Sequence, residues 1–213
     1  AFKNYSRMNS GMNDYIATAK KAVMEAGKIL LANFHKQHKL SYKLTRCRAM
    51  VTAVDVASER AIRRIITRAH PSHQIIGEEG GITKSDGSPY LWVIDPLDGT
   101  TNYVHQLPFF SVTIALTHNG RTVLGCIYQP VTNELFLAVR GKGAWLNGKR
   151  MHISPQADHR KMYGFMEWNS DEPATSRRGM QIFGALRRRS MRIRNIGSSA
   201  LVYAWAGAGR SDC

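Results

Sequence analysis

The run Tyr90-Leu-Trp-Val-Ile-Asp95-Pro-Leu-Asp98-Gly-Thr100-Thr-Asn102 constrains this chain more than any other segment. Its apolar part reads as a buried strand, so its last residues point into whatever cleft lies beyond the strand end. Asp95 and Asp98 then put two carboxylates on one tight turn, stiffened by Pro96. Gly99-Thr100-Thr101 reads as a helix start, whose unpaired N–H groups and dipole attract an anion. Carboxylates suited to a hard cation beside amides suited to a phosphate point to metal-assisted phosphate chemistry.

A second acidic element lies just upstream. Gln74-Ile-Ile-Gly77-Glu78-Glu79-Gly80-Gly81 is another short apolar strand ending in acids and glycines. From Glu78 to Asp98 the chain carries five acids and one base, Lys84, hence a formal charge of −4 in a chain of +15. Gathering carboxylates around one cleft is unfavourable unless a cation neutralises them. All-oxygen donors with no His or Cys cluster favour Mg²⁺ or Mn²⁺ over Zn²⁺. Two exposed acidic loops would account for Glu78 and Glu79 alone, but not for the pairing with Asp95-x-x-Asp98-Gly-Thr.

The scaffold around these elements is α+β. Ile16, Ala19, Val23, Gly27, Leu30 and Phe34 recur at helical spacing, predicting an amphipathic helix over 13–34. Asp55 reads as the N-cap of a second helix, with Ile62, Ile65 and Ile66 inward and His70-Pro71 ending it. Strands are predicted over 110–117, 123–128, 134–139, 144–146 and 150–153, with hairpin turns at Asn119-Gly120 and Asn147-Gly148, giving an antiparallel meander. After Ser154 the pattern becomes a helix over 175–187, a strand over 191–195 and a helix over 198–206. The expected division is a lobe at 13–153 carrying the acidic cluster and the start of a second lobe at 154–213.

The motifs as a set resemble the inositol monophosphatase family. Asp95-Pro-Leu-Asp98-Gly-Thr-Thr-Asn-Tyr103, ending in Leu107-Pro108-Phe109, matches that family's first signature. Gly77-Glu78-Glu79, Val51-Thr52-Ala53-Val54-Asp55, Gly141-Lys-Gly143-Ala-Trp-Leu-Asn147-Gly148 and Gly197-Ser-Ser-Ala200 follow in the family's order. The resemblance implies a layered αβαβα sandwich of the sugar-phosphatase type and an inositol-phosphate phosphatase. Two or three Mg²⁺ ions, with Mn²⁺ as a substitute, would be held by Glu78, Asp95, the Leu97 carbonyl and Asp98. Thr100 supported by Asp55 would orient water, Gly99 and Thr100 would bind the phosphate, and Ser199 and Asp212 would face the alcohol. Lithium sensitivity, a homodimer and a cytoplasmic setting belong to the same expectation.

Two departures accompany the match. The family's Trp-Asp signature, which supplies a further ligand to the second ion, falls beyond Cys213 in the family's order, so the second lobe is expected to be C-terminally truncated. Ala49 stands where the family often has an acid. Other readings also stand: a phosphatase of histidinol phosphate, a nucleotide 3′-phosphate or a sugar bisphosphate, or a non-catalytic relative contacting RNA or the transcription machinery through Arg177, Arg178, Arg187, Arg188, Arg189, Arg192 and Arg194. No membrane partner is expected, since no run of about 18 apolar residues occurs and residues 1–12 lack a signal-peptide apolar region. Cys47, Cys126 and Cys213 are odd in number and far apart, which suits a reducing compartment.

Overall fold

The computed structural model describes residues 10–36, 41–42, 50–83, 87–167 and 173–212. The expectations for Cys47, Ala49, Lys84, Asp86 and Cys213 lie outside those residues. Helix α1 (Ser10–Asn33) buries Ile16, Ala19, Val23, Ala26 and Leu30 at helical spacing. A short antiparallel ribbon, β1 (Ser41–Tyr42) with β2 (Met50–Val51), leads into α2 (Ala53–Ala69). The cap of α2 is Thr52 and not Asp55. Thr52 Oγ1 accepts from Val54 N at 3.2 Å, and Asp55 returns a bond by accepting from Thr52 N at 2.9 Å. This is a capping box, which places the acid at the third helical position.

One eight-stranded sheet dominates. It contains β3 (Gln74–Gly77), β4 (Gly81–Thr83), β5 (Tyr90–Asp98), β6 (Ser111–His118), β7 (Arg121–Gln129), β8 (Glu134–Val139), β9 (Gly143–Leu146) and β10 (Lys149–Arg150). The spatial order is β10-β9-β8-β7-β6-β5-β3-β4. Neighbours from β5 to β10 are antiparallel, the predicted meander, whereas β3 lies parallel to β5. Asn119 and Gly120, like Asn147 and Gly148, take positive φ, the conformation two-residue hairpins demand. The strand expected over 150–153 ends at Arg150, and Ile153 is 76% exposed.

The core lies between this sheet and the α1/α2 pair. Trp92, Ile94, Val112, Ile114, Leu116, Leu124 and Leu137 pack there against Val23, Leu30, Ile62 and Ile66. Gly27 lets α1 lie close, because a Cβ there would be 2.5 Å from the Tyr128 ring. The turn of helix at α3 (Thr100–Val104) is anchored to α1 by Tyr103, whose hydroxyl donates to Leu30 O at 2.7 Å.

Beyond the meander, β11 (Tyr163–Phe165) and β12 (Arg192–Arg194) pair in parallel. Parallel neighbours need a crossover, supplied by α4 (Pro173–Arg189). Arg177, Arg178, Arg187, Arg188 and Arg189 are all exposed on it, and Met180, Ile182, Phe183 and Leu186 are not buried. Helix α5 (Ser199–Gly207) follows β12. A large mixed sheet with helices bears out the α+β expectation. Among the described residues no helix is long and apolar enough to cross a membrane.

Candidate metal and phosphate site

Strand β5 does not stop at Asp95. It continues to Asp98 through a bulge, since Asp95 pairs with Thr113 while Asp98 pairs with Ser111. Three steps on β5 therefore match two on β6, which is how one extra residue is accommodated next to a functional site. Pro96 donates no hydrogen bond and so suits the disturbed position. Its carbonyl accepts from Ser58 Oγ of α2 at 3.0 Å, fixing the bulge to the helix layer. The sequence suggested a tight turn; the bulge achieves the same crowding of two carboxylates within a strand.

Crowding shows in the charge balance. The Asp95 carboxyl is pushed up to about 7, first by burial, then by the negative charges of Asp98 and Glu78, with a smaller push from Asp55. The amide of Leu97, donating to Asp95 Oδ1 at 3.1 Å, works the other way. Trp92 and Ile94 turn into the core, so by strand alternation Val93 and Asp95 turn to the opposite face. Opposite Asp95 on β6 stands Thr113, whose hydroxyl is buried and has no hydrogen-bond partner among the described residues. Glu78 is exposed on the β3–β4 turn.

Thr100 and Asp55 meet as the resemblance implied. Thr100 Oγ1 lies 3.3 Å from Asp55 Oδ1 and 3.1 Å from Leu97 O, so its one proton can be donated either to the acid of α2 or to the carbonyl in the bulge. Asp55 is 3% exposed, and burial raises its pKa despite the hydrogen bonds it accepts from Thr52 and Thr100. Gly99 precedes α3 with φ of +92°, and a Cβ there would stand 2.7 Å from Phe109 O. Only glycine satisfies both constraints cheaply. The first-turn amides of α3 have no carbonyl partner within the helix.

Asp98 has a partner that sequence reasoning did not identify. Its Oδ2 accepts from Ser198 Oγ, from Ala200 N at 3.2 Å and from Ser111 Oγ at 3.3 Å; its Oδ1 accepts from Ser199 N at 3.2 Å. A carboxylate at a helix N-terminus satisfies orphan amides and complements the dipole, so Asp98 holds the start of α5. Burial raises its pKa, and these donors limit the rise. Asn102 makes a second tie, donating to Phe109 O and Ile196 O, both at 2.7 Å. Ser199 is thereby brought beside the strand end, with its side chain exposed. Asp212 is engaged differently: Ser154 Oγ and Tyr163 N at 2.7 Å donate to its carboxylate, which lowers its pKa.

The donor chemistry suits a hard divalent cation. Asp95, Glu78 and the Leu97 carbonyl are oxygen donors, and the repulsion felt by Asp95 is what a cation would relieve. Among the described residues no three His, Cys, Asp or Glu side chains converge as a ready-made cage. The acids influence one another through charge. Residues missed from sequence are Ser58, Glu59, Ser111, Thr113 and Ser198. Only Glu59 left a legible trace, in the glycines flanking Glu78-Glu79 that signal close backbone approach.

Residues 12–213 match a family model described as the inositol monophosphatase family. The Nus factor SuhB of Pasteurella multocida is 38% identical over 205 residues, spanning 94% of this chain and 75% of that protein. Its counterpart from Escherichia coli is 37% identical over 204 residues with the same coverage. Among solved structures, the extragenic suppressor protein suhB of Bartonella henselae superposes with a TM-score of 0.84 at 30% identity, covering 95% of this chain and 76% of that one. The Thermotoga maritima IMPase gives 0.82 at 32% identity, covering 93% and 74%.

Proposed function

This chain belongs to the inositol monophosphatase family, and on that premise we propose that it hydrolyses a small phosphomonoester, inositol monophosphate first, with the help of Mg²⁺. The observation that carries the reading is the Asp95 carboxyl, crowded by Asp98 and Glu78 in a bulge that also presents the Thr100–Asp55 pair. Asp95, Glu78 and the Leu97 carbonyl would hold one ion; Asp95 and Asp98 would serve a second. When bound, Mg²⁺ or Mn²⁺ supplies positive charge that acidifies water and offsets the phosphate's charge.

The chain's own residues do the rest. Thr100 Oγ1 donates to Asp55, which leaves its lone pairs to accept a proton from the attacking water and aim it. Asp55, with its proton affinity raised by burial, draws the Thr100 proton as the water gives up its own. The amides of Gly99 and Thr100 hold the phosphate. Asp98 would exchange part of its bonding to α5 for the cation, so the approach of α5 and the filling of the site are linked. Ser199, exposed beside those amides, is assigned to the alcohol; the Asp212 carboxylate is already engaged by Ser154 and Tyr163.

Phosphate release from inositol 1-phosphate should require Mg²⁺, be inhibited by lithium and vanish in Asp95→Asn. Histidinol phosphate, a nucleotide 3′-phosphate and a sugar bisphosphate form the comparison panel. Turnover that persists in chelator, or none on any member, would overturn the proposal. The exposed arginines of α4 and the Nus-factor relatives favour a second, compatible reading: contact with RNA or the transcription machinery. RNA binding should then weaken steeply with salt, and neutralising Arg187, Arg188 and Arg189 should flatten that slope by roughly one for each phosphate that an arginine no longer neutralises.

A further inference from the structure

The turn that carries Glu78 has little packing of its own. It joins β3 to β4 at the sheet edge, and all three residues of β4 are exposed, Ile82 at 55%. What holds it is a pair on α2. Glu59, 2% exposed, accepts from the amide of Glu79 through Oε2 and from that of Gly80 through Oε1, both at 2.8 Å. Arg63 Nε donates to Glu59 Oε1 at 2.7 Å, while its two terminal nitrogens donate to Gly81 O and, at 2.7 Å, to Thr83 Oγ1.

An exposed i,i+4 ion pair on a helix contributes little. This pair is different because its carboxylate is buried and two of the donors converging on it are backbone amides of the turn. The chain is also cut to fit it. A Cβ on Gly77 would lie 2.6 Å from Glu59 Cδ, and one on Gly80 would lie 2.6 Å from Glu59 Oε1 and 3.0 Å from Arg63 Nε. Glu78 is thus pinned on one side by Gly77 pressed against the carboxylate and on the other by the bonded amide of Glu79. Its backbone position is set by α2, the helix that also supplies Asp55 to Thr100 and Ser58 to the bulge.

We propose that Glu59 and Arg63 are positioning residues: they fix the Glu78 turn relative to Asp95 and thereby set the affinity of the site for a divalent cation. This rests on the phosphomonoesterase reading above. Two variants test it independently in the full chain. Glu59→Gln keeps the side chain's size but offers a single acceptor and turns an N–H₂ towards a donor. Gly80→Ala leaves Glu59 intact and pushes the turn away from it.

Binding of Mg²⁺ itself, titrated calorimetrically into metal-free protein, is the readout. Loss of an outer partner of a metal site typically weakens affinity about 10- to 100-fold, and both variants should fall in that range. Hydrogen exchange at the amides of Glu79 and Gly80 should accelerate in both. The Mg²⁺ concentration for half-maximal turnover should rise in parallel, with excess Mg²⁺ restoring the rate. A role in folding alone would lower the melting temperature and leave the Mg²⁺ affinity of folded protein unchanged, which would overturn this inference alone. A wild-type protein that takes up no Mg²⁺ would overturn the phosphomonoesterase reading and this inference with it.

Discussion

Replacing Asp95 with Asn in metal-free protein should make the molecule more stable at alkaline pH, the opposite of what removing a buried charge partner normally does. The Asp95 carboxyl has its pKa raised from 3.8 to about 7. The native state therefore holds this proton more tightly than the unfolded chain does. The resulting stability is fully present below the unfolded pKa and is lost as pH rises towards the folded one. Each pKa unit corresponds to about 1.4 kcal/mol, so the ionised carboxylate costs up to about 4 kcal/mol above pH 7. Asn carries no charge and its side-chain oxygen can still accept from Leu97 N, as Asp95 Oδ1 does. The gain should be about 1.5 kcal/mol at pH 5 and rise to about 4 kcal/mol at pH 8. Urea unfolding in chelator at the two pH values measures it. Adding Mg²⁺ should then stabilise the wild type by ligand linkage and leave Asp95→Asn unmoved. A variant no more stable than wild type at pH 8, or one that Mg²⁺ stabilises equally, would refute the argument from crowded charge.

Asn102→Ala deprives the carbonyls of Phe109 and Ile196 of the donor they share, at about 1 kcal/mol for each hydrogen bond lost; urea midpoints and faster hydrogen exchange over 196–200 would register it. His70 and His73 stack on each other and on Trp92, and burial lowers the pKa of both. Their contribution is present above the ordinary histidine pKa of about 6.5 and is lost as pH falls through their depressed values. Between pH 7 and pH 5 the melting temperature of His73→Gln, which keeps an acceptor for Trp92 Nε1, should fall less than that of the wild type. Gly99→Ala should destabilise by about 2 kcal/mol or more, combining a left-handed backbone with the clash on Phe109 O, as thermal melts would show.

Much of the fold was legible because its signals are local. Alternation and Asn-Gly turns gave β6 to β9 nearly to the residue, and helical periodicity gave α1. The paired acids were legible as well, from residue type and spacing, whereas the pairing of Thr100 with Asp55 was an implication of the family resemblance and not of spacing. Other features were not. The capping role belongs to Thr52 because Asp55 reaches back to its amide, a detail of backbone direction that spacing alone leaves open. The strand runs on through Asp98 because β6 supplies partners for it, and a bulge is defined by two strands and never by one. Nothing near Asp98 in the sequence announces the amides of Ser199 and Ala200, about a hundred residues away.

The sequence by itself determined which groups are available: clustered carboxylates, a threonine at a helix start, and glycines where backbone must come close. Tertiary structure alone decided how those groups are held. Helix α2 pins the Glu78 turn through Glu59, and α5 rests its first amides on Asp98. The reason is physical: composition fixes charge and hydrogen-bonding capacity, but which donor meets which acceptor depends on elements brought together only when the core closes.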